Sequence, residues 1–290
     1  MEFRLFLPQM RFSIEDLTDR AVHAEAHGFT GIALIDHLAP PMAEHQPMYE
    51  AMTAAMWLGA RTERLGLGHL VLCDAMRHPA VLAKEVVTLD HATGGRFELG
   101  IGSGSVPAEL RSFGVFDRQW AERVGRLSES LAVLRALWSG EIVEFDGEYH
   151  RVHGVQQLPT PLDRIPIVIG GTGARTMSLV AEYADWWNLP LTDLSRFDGL
   201  RESAGSARVS VQQMVALVTD ESRRAEITAA ATRRFATFGD GLVIGSGTEL
   251  VEHFGRLESR GIERVYVWFA DFAPAATLAA FGTDVIAHLS

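Results

Sequence analysis

Short apolar runs of about four to eight residues alternate along the chain with amphipathic stretches of helical period, and turn residues part them. Phe3–Leu7, Gly31–Ile35, Leu65–Leu72, Phe97–Ile101, Pro166–Ile169, Asp185–Asn188, Gln212–Val218 and Arg264–Phe269 read as strands. Helices are expected near Ile14–His27, Pro47–Arg61, His78–Thr93, Gln119–Trp138, Ala174–Tyr183 and Thr248–Ser259. Ser13-Ile14-Glu15-Asp16 has the form of a capped start and Gly28 that of a stop, while Leu127, Leu131, Leu134 and Trp138 share one helical face. Ile142–Phe145 and Tyr149–Val152 flank Asp146-Gly147 as a small hairpin. The polar, Arg-rich stretch Leu191–Val209 reads as an excursion over the mouth of the fold. Strict alternation of strand and helix predicts a parallel sheet, and eight strands predict an α/β fold closed as a (β/α)8 TIM barrel.

Composition supports one such unit. A barrel of this kind uses about 250 residues, and the 290 residues here show no repeat, low-complexity tract or break that would divide them, so residues 1–290 are expected to form a single domain. The net charge of −11 argues against a nucleic acid or an anionic membrane as partner. Cys73 stands alone, which fits a reducing compartment. No apolar run approaches the ~20 residues of a membrane span, and the N-terminus enters a strand directly, so a cytoplasmic protein acting on a small-molecule substrate is expected. Met48, Met52, Met56 and Trp57 give the second helix an apolar surplus, which together with His78–Thr93 predicts a homodimer contact.

Four constellations fall at strand exits, where barrel enzymes carry their chemistry. Asp36-His37 follows the second strand: His37 is suited to donate a proton or hydrogen bond, and Asp36 either fixes its tautomer or braces the loop. His69, in the apolar third strand, reads either as a satisfied core residue or as a group of the site. Gly102-Ser103-Gly104 gives a flat ligand close access to backbone, or is a plain tight turn. Gly170-Gly171-Thr172-Gly173 opens a helix and offers backbone amides to an anion, with Arg175 in the first turn as a charged contact; the alternative is a simple Gly turn.

At these residues the chain resembles the bacterial luciferase-like family of flavin- or deazaflavin-dependent oxidoreductases. The likeness runs through Leu34-Ile35-Asp36-His37, Arg77-His78-Pro79, Asp90-His91-Ala92-Thr93-Gly94-Gly95-Arg96-Phe97, Leu99-Gly100-Ile101-Gly102-Ser103-Gly104, Pro166–Gly173, Gly245-Ser246-Gly247-Thr248 and Gly261-Ile262-Glu263-Arg264-Val265. It implies a barrel that binds the deazaflavin F420, or alternatively FMN, with the ring near strands two to four and the phosphate at Gly170–Gly173 and Arg175. It also implies a non-prolyl cis peptide at Leu70-Val71 behind the ring, so that Asp36, His69, Leu70, Val71, Gly102, Ser103 and Gly104 border the cofactor. The Asp36-His37 pair matches deazaflavin members, in which the His lies at the reacting edge. F420 implies hydride transfer to or from a small organic substrate with His37 as its acid or base, whereas reduced FMN would imply a monooxygenase. Sugar-phosphate dehydrogenases of the family carry a Trp four residues after the His and a Glu straight after the Gly-x-Gly. Pro41 and Ser105 stand there instead, which argues against glucose 6-phosphate as substrate, and Glu109 reads as a helix or loop residue. Trp186 or Trp187 reads either as shaping an apolar pocket at the mouth or as barrel packing, with packing expected for at least one of them. Two other readings stay open: a non-catalytic flavin-binding relative, and a metal-dependent hydrolase, for which Pro8-Gln9 after strand one offers no ligand set.

Overall fold

In the computed structural model, which describes residues 1–41, 43, 45–115, 118–236, 238 and 241–289, ten strands share one parallel sheet that curves into a barrel. They are β1 (Glu2–Phe6), β2 (Gly31–Leu34), β3 (Gly66–His69), β4 (Leu72–Cys73), β5 (Leu99–Gly102), β8 (Ile167–Gly170), β9 (Trp186–Leu189), β10 (Arg208–Leu217), β11 (Leu242–Gly245) and β12 (Arg264–Phe269). A separate antiparallel hairpin joins β6 (Ile142–Asp146) to β7 (Arg151–Gln156).

The sheet runs β3-β2-β1-β12-β10-β9-β8-β5-β4. It closes because β3 and β4 are two halves of one stave. The Leu70-Val71 peptide between them is cis, pairing to β5 resumes at Leu72, and Leu67 of β3 bridges to Phe97 just ahead of β5. The barrel therefore has the eight staves expected from sequence. The addition is β11, which pairs in parallel with the upper half of β10 from Met214↔Leu242 to Leu217↔Gly245.

Helices cover the outside: α1 (Ile14–Ala26), α2 (Ala51–Gly59), α3 (Pro79–Thr93), the short α4 (Pro107–Ser112), α5 (Trp120–Trp138), α6 (Ala174–Tyr183), α7 (Phe197–Leu200), α8 (Arg224–Arg234), α9 (Gly247–Ser259) and α10 (Ala275–Asp284). Side chains fix the starts. Ser13 and Asp16 form a reciprocal capping box at α1, Ser246 and Glu249 repeat it at α9, and Pro79 occupies the first turn of α3. The second helix starts later than expected, because Glu50 accepts from the amides of Met52 and Thr53 and so caps α2 at Ala51.

Outward strand residues pack against this layer: Phe3 meets the edges of Phe254 and Phe281 at 5.2 and 5.5 Å. Stretch 191–204 leaves the mouth after Pro190 in 3-10 turns and α7, and its later part packs on α6. Arg208 and Val209, expected in that excursion, instead begin β10. Among the described residues no helix is long and apolar enough to cross a membrane. The apolar surplus on α2 is partly spent within the chain: Met52 is buried and Met56 packs on the core, whereas Trp57, which lies against Arg61 and donates to Thr18 Oγ1, stays exposed.

Candidate active site

At the C-terminal end of the barrel a cavity of about 360 Å3 opens between β2, β4, β5, β8 and β9. Asp36, His37, Leu70, Val71, Gly102, Ser103, Gly104, Gly170 and Gly171 all line it. One wall is made flat by close backbone approach. A Cβ on Gly100 would fall 1.8 Å from the His69 carbonyl oxygen, and one on Gly102 would fall 2.8 Å from Val71 Cγ2. These glycines therefore make room for the broken stave as much as for any ligand.

The two members of the Asp36-His37 pair have separate tasks. Asp36 accepts from Arg77 Nη2 at 2.6 Å, from Arg77 Nε at 3.2 Å and from the Cys73 amide at 2.8 Å. Arg77 also donates to Glu50 Oε1 at 3.0 Å, so the clamp ties the exits of β2 and β4 to the cap of α2. Burial would raise the Glu50 carboxyl, but the Thr53 and Met52 amides and Arg77 outweigh it and hold the group at about 2. Asp36 thus braces the loop. The partner of His37 is Glu109, whose Oε2 lies 2.8 Å from Nδ1, with the two side chains 18% and 8% exposed. The other oxygen of Glu109 accepts from the amides of Leu38 and Ala39 at 2.6 and 3.1 Å. Reading Glu109 as a plain helix or loop residue missed this contact. Pro107 starts α4 so that Glu109 falls in its first turn, facing back across the cavity it lines. A carboxylate held by two amides, holding in turn an imidazole at a cavity wall, is an arrangement suited to acid–base work.

His69 is a correction. Its ring points out of the barrel into the layer beneath α2, is fully buried, donates from Nε2 to the Ala51 carbonyl at 3.1 Å and meets Phe97 edge-on. Successive strand residues face opposite sides, and the outward side fell to His69. Burial pushes its imidazole below the ordinary value, which fits a neutral core histidine. Trp186 and Trp187 are likewise inside the protein rather than at a pocket. Trp187 stacks on Phe197 outside the barrel, and Trp186 lies under Arg264 near its base. Cys73 lines the cavity, but burial pushes its thiol up to about 11, which favours the neutral thiol over the thiolate.

Only the first half of the glycine turn reaches the cavity. Thr172 Oγ1 donates to Asp193 Oδ2 and accepts from Arg196 Nη1, both at 3.0 Å, and Trp120 covers Gly173. Arg175 is exposed on α6 and is not among the cavity's lining residues. The cation at this turn is Arg196, which sequence spacing had no means of bringing there. Gly173 caps α6 without a side-chain acceptor, which leaves the first amides of the helix facing the turn. Asn188 and Gln212 add polar groups from β9 and β10.

A family model described as luciferase-like monooxygenase matches residues 1–236. An F420-dependent glucose-6-phosphate dehydrogenase of Nakamurella multipartita is 38% identical over 181 residues, which is 60% of this chain and 52% of that protein. The chain spans about half the length of the curated relatives it matches. Two solved structures superpose over the whole barrel. An F420-dependent secondary alcohol dehydrogenase in complex with an F420-acetone adduct gives a TM-score of 0.82 at 18% identity, covering 99% of this chain and 98% of that one. A monooxygenase, RslO1 from Streptomyces bottropensis, gives 0.81 at 19%, covering 100% of both. A dehydrogenase and a monooxygenase fit equally well, so these two likenesses carry the fold alone.

Proposed function

The chain belongs to the luciferase-like monooxygenase family, and on that premise we propose that it is an F420-dependent oxidoreductase acting on a small organic substrate. The observation that carries the reading is the His37–Glu109 pair on the wall of a cavity whose other side is the Leu70-Val71 bulge and Gly102–Gly104. The names of the curated relatives support F420 over FMN. The residues present suit a flat ring joined to a phosphate. Gly102 and Gly104 carry no side chain on one wall, and the uncapped start of α6 behind Gly170 and Gly171 offers backbone amides to an anion, while Thr172 and Arg196, both paired with Asp193, would add a hydroxyl and a cation only on leaving that carboxylate.

When bound, F420 supplies a ring carbon that accepts or donates a hydride. His37 gives the substrate oxygen a proton in one direction of reaction and takes it in the other, and Glu109 holds the imidazole by Nδ1 so that Nε2 is the atom that exchanges it. Asp36 and Arg77 keep the His37 loop and the β4 exit in register. Pro41 and Ser105 still argue against glucose 6-phosphate, the substrate in the relatives' names, so a substrate of different shape is proposed.

Absorbance titration with F420 beside FMN tests the cofactor. Tighter binding of F420 is expected; FMN binding as tightly would replace the reading by the monooxygenase one, and F420 binding with no turnover of any donor would favour a non-catalytic relative. Self-association through the outer faces of α2 and α3 also remains a proposal, supported now by Trp57 and Val81, which are 39% and 55% exposed. A dimer mass by light scattering at micromolar concentration is the expected result.

A further inference from the structure

A second cavity, of about 300 Å3, lies at the same end of the barrel and shares no lining residue with the first. Its walls come from the ends of β1 and β12, the loop that His37 begins, and the chain after α8. They are aromatic: Phe6, Phe235 and Phe238 stand edge-on around Trp268 at 5.4, 4.9 and 5.1 Å. Ile35 and Leu70, which line the first cavity, pack in the same cluster as these rings, so the two spaces adjoin.

Two arginines also line it. The guanidinium of Arg234 is half-buried, lies 3.4 Å over the Phe272 ring and makes one hydrogen bond among the described residues, to the Ala270 carbonyl. Neither Arg234 nor Arg11 has a carboxylate within ion-pair distance among those residues. The nearby Asp271 is turned to Thr277 and the Ala273 amide. Among the described residues Arg234 thus has aromatic neighbours and no direct ion-pair partner, and an entering anion would supply one. Burial already pulls Arg234 down to about 10, which still leaves it charged at neutral pH.

The backbone is unusual here as well. Arg11, Phe272 and Ala273, which line this cavity, are three of the four non-glycine residues with positive φ among those described, at 70°, 68° and 54°. Such conformations are disfavoured for these residue types and gather at ligand sites.

We propose that this second cavity binds an aromatic carboxylate, its ring against Phe6, Phe235, Phe238 and Trp268 and its carboxylate on Arg234 and Arg11, and that it is the substrate lobe of the site. Its place as substrate lobe rests on the oxidoreductase reading; the binding itself does not.

Calorimetric titration with 3-phenylpropionate, 3-phenylpropan-1-ol and propionate tests it, with F420 titrated in parallel. The acid is expected to bind at least tenfold tighter than either the alcohol or propionate. Arg234→Gln is expected to weaken the acid tenfold or more and leave F420 binding within twofold, and Arg234→Lys to recover part of the loss. Arg11→Gln, at an exposed side chain, gives the same reading if the Arg234 variants fold poorly. Equal affinity for acid and alcohol, or an unchanged acid affinity in Arg234→Gln and Arg11→Gln, overturns the proposal. Acid binding without F420 binding leaves the cavity standing and removes the F420 reading; F420 binding without acid binding does the reverse.

Discussion

At the scale of single residues, the site turns on what His37 touches. The sequence places an acid beside it, but Asp36 is turned away to Arg77 and the Cys73 amide, and the carboxylate at Nδ1 comes from Glu109, 72 positions on. A positioned acid or base is worth about 10²–10⁴-fold in rate, so His37→Ala is expected to lower turnover by that order while the cofactor dissociation constant moves only a few-fold. Glu109→Ala should lower turnover as well, since it frees the ring to rotate. If the two act as one unit, the double variant falls no further than His37→Ala alone, and steady-state rates on the four proteins read this directly. Additive losses would mean that Glu109 meets the substrate independently. The contact was hard to see in the sequence because pairing across a cavity depends on where a short helix begins. Pro107 was the available signal: it sets the first turn of α4 and hence the direction of Glu109.

At the scale of elements, periodicity was a good guide for most elements that bury one face. Helix Ala174–Tyr183 and strand Arg264–Phe269 lie at the bounds expected from pattern. The pattern failed for α8, whose sequence from Arg224 to Arg234 is polar and buries little beyond Ala231, for β11, a four-residue strand only partly covered, and for α10, which buries Leu278 and Phe281 but is too rich in alanine to show a clear stripe. The hairpin is the element with the clearest local cause. Glu129 of α5 accepts from the amides of Glu148, Tyr149 and His150 at 2.8, 2.8 and 3.0 Å, which fixes the turn against the helix. His150 then enters the protein and meets Ser130 Oγ at 2.9 Å. Burial, with Arg126 nearby, pulls its imidazole down to about 4 from an ordinary 6.5. Between those values the unfolded chain binds the proton that the folded one refuses, so stability rises with pH across this window and is lost on acidification. Burial lowers His69 and His253 in the same sense. The melting temperature is therefore expected to fall from pH 6.5 to pH 4, and the fall should be shallower in His150→Gln, whose amide can still meet Ser130. Parallel pH profiles for the two proteins would remove His150 from this account.

At the scale of the whole molecule, the barrel has a mouth with two cavities and a base closed by charge. Near that base Glu98 is enclosed by groups from two other staves. Arg4 Nη1 of β1 lies 2.8 Å from Oε1, though off-line for a hydrogen bond, while Arg264 Nη1 and Tyr266 Oη of β12 donate to Oε2 and Oε1, each at 2.9 Å. Arg264 also pairs with Glu2 at 2.8 Å and lies 3.6 Å over the Trp186 ring. Burial alone would raise the Glu98 carboxyl, but Arg4 and Arg264 outweigh it and hold the group below the usual range. The network ties the first and last staves to β5 across the interior, where aliphatic side chains would otherwise fill the space. Residues at this face of a barrel bear on stability rather than on chemistry. Glu98→Gln keeps the shape and removes the charge, leaving two arginines in the interior with only Glu2 to answer them. Breaking a buried pair in this way costs about 3–5 kcal/mol, so the urea midpoint should drop by that amount divided by an unchanged m-value. The mouth is at the other end of the staves, so F420 titrated below the transition should bind Glu98→Gln as it binds the parent. A loss under about 1 kcal/mol would mean that water reaches the arginines and that the base is held by its aromatic and aliphatic contacts instead.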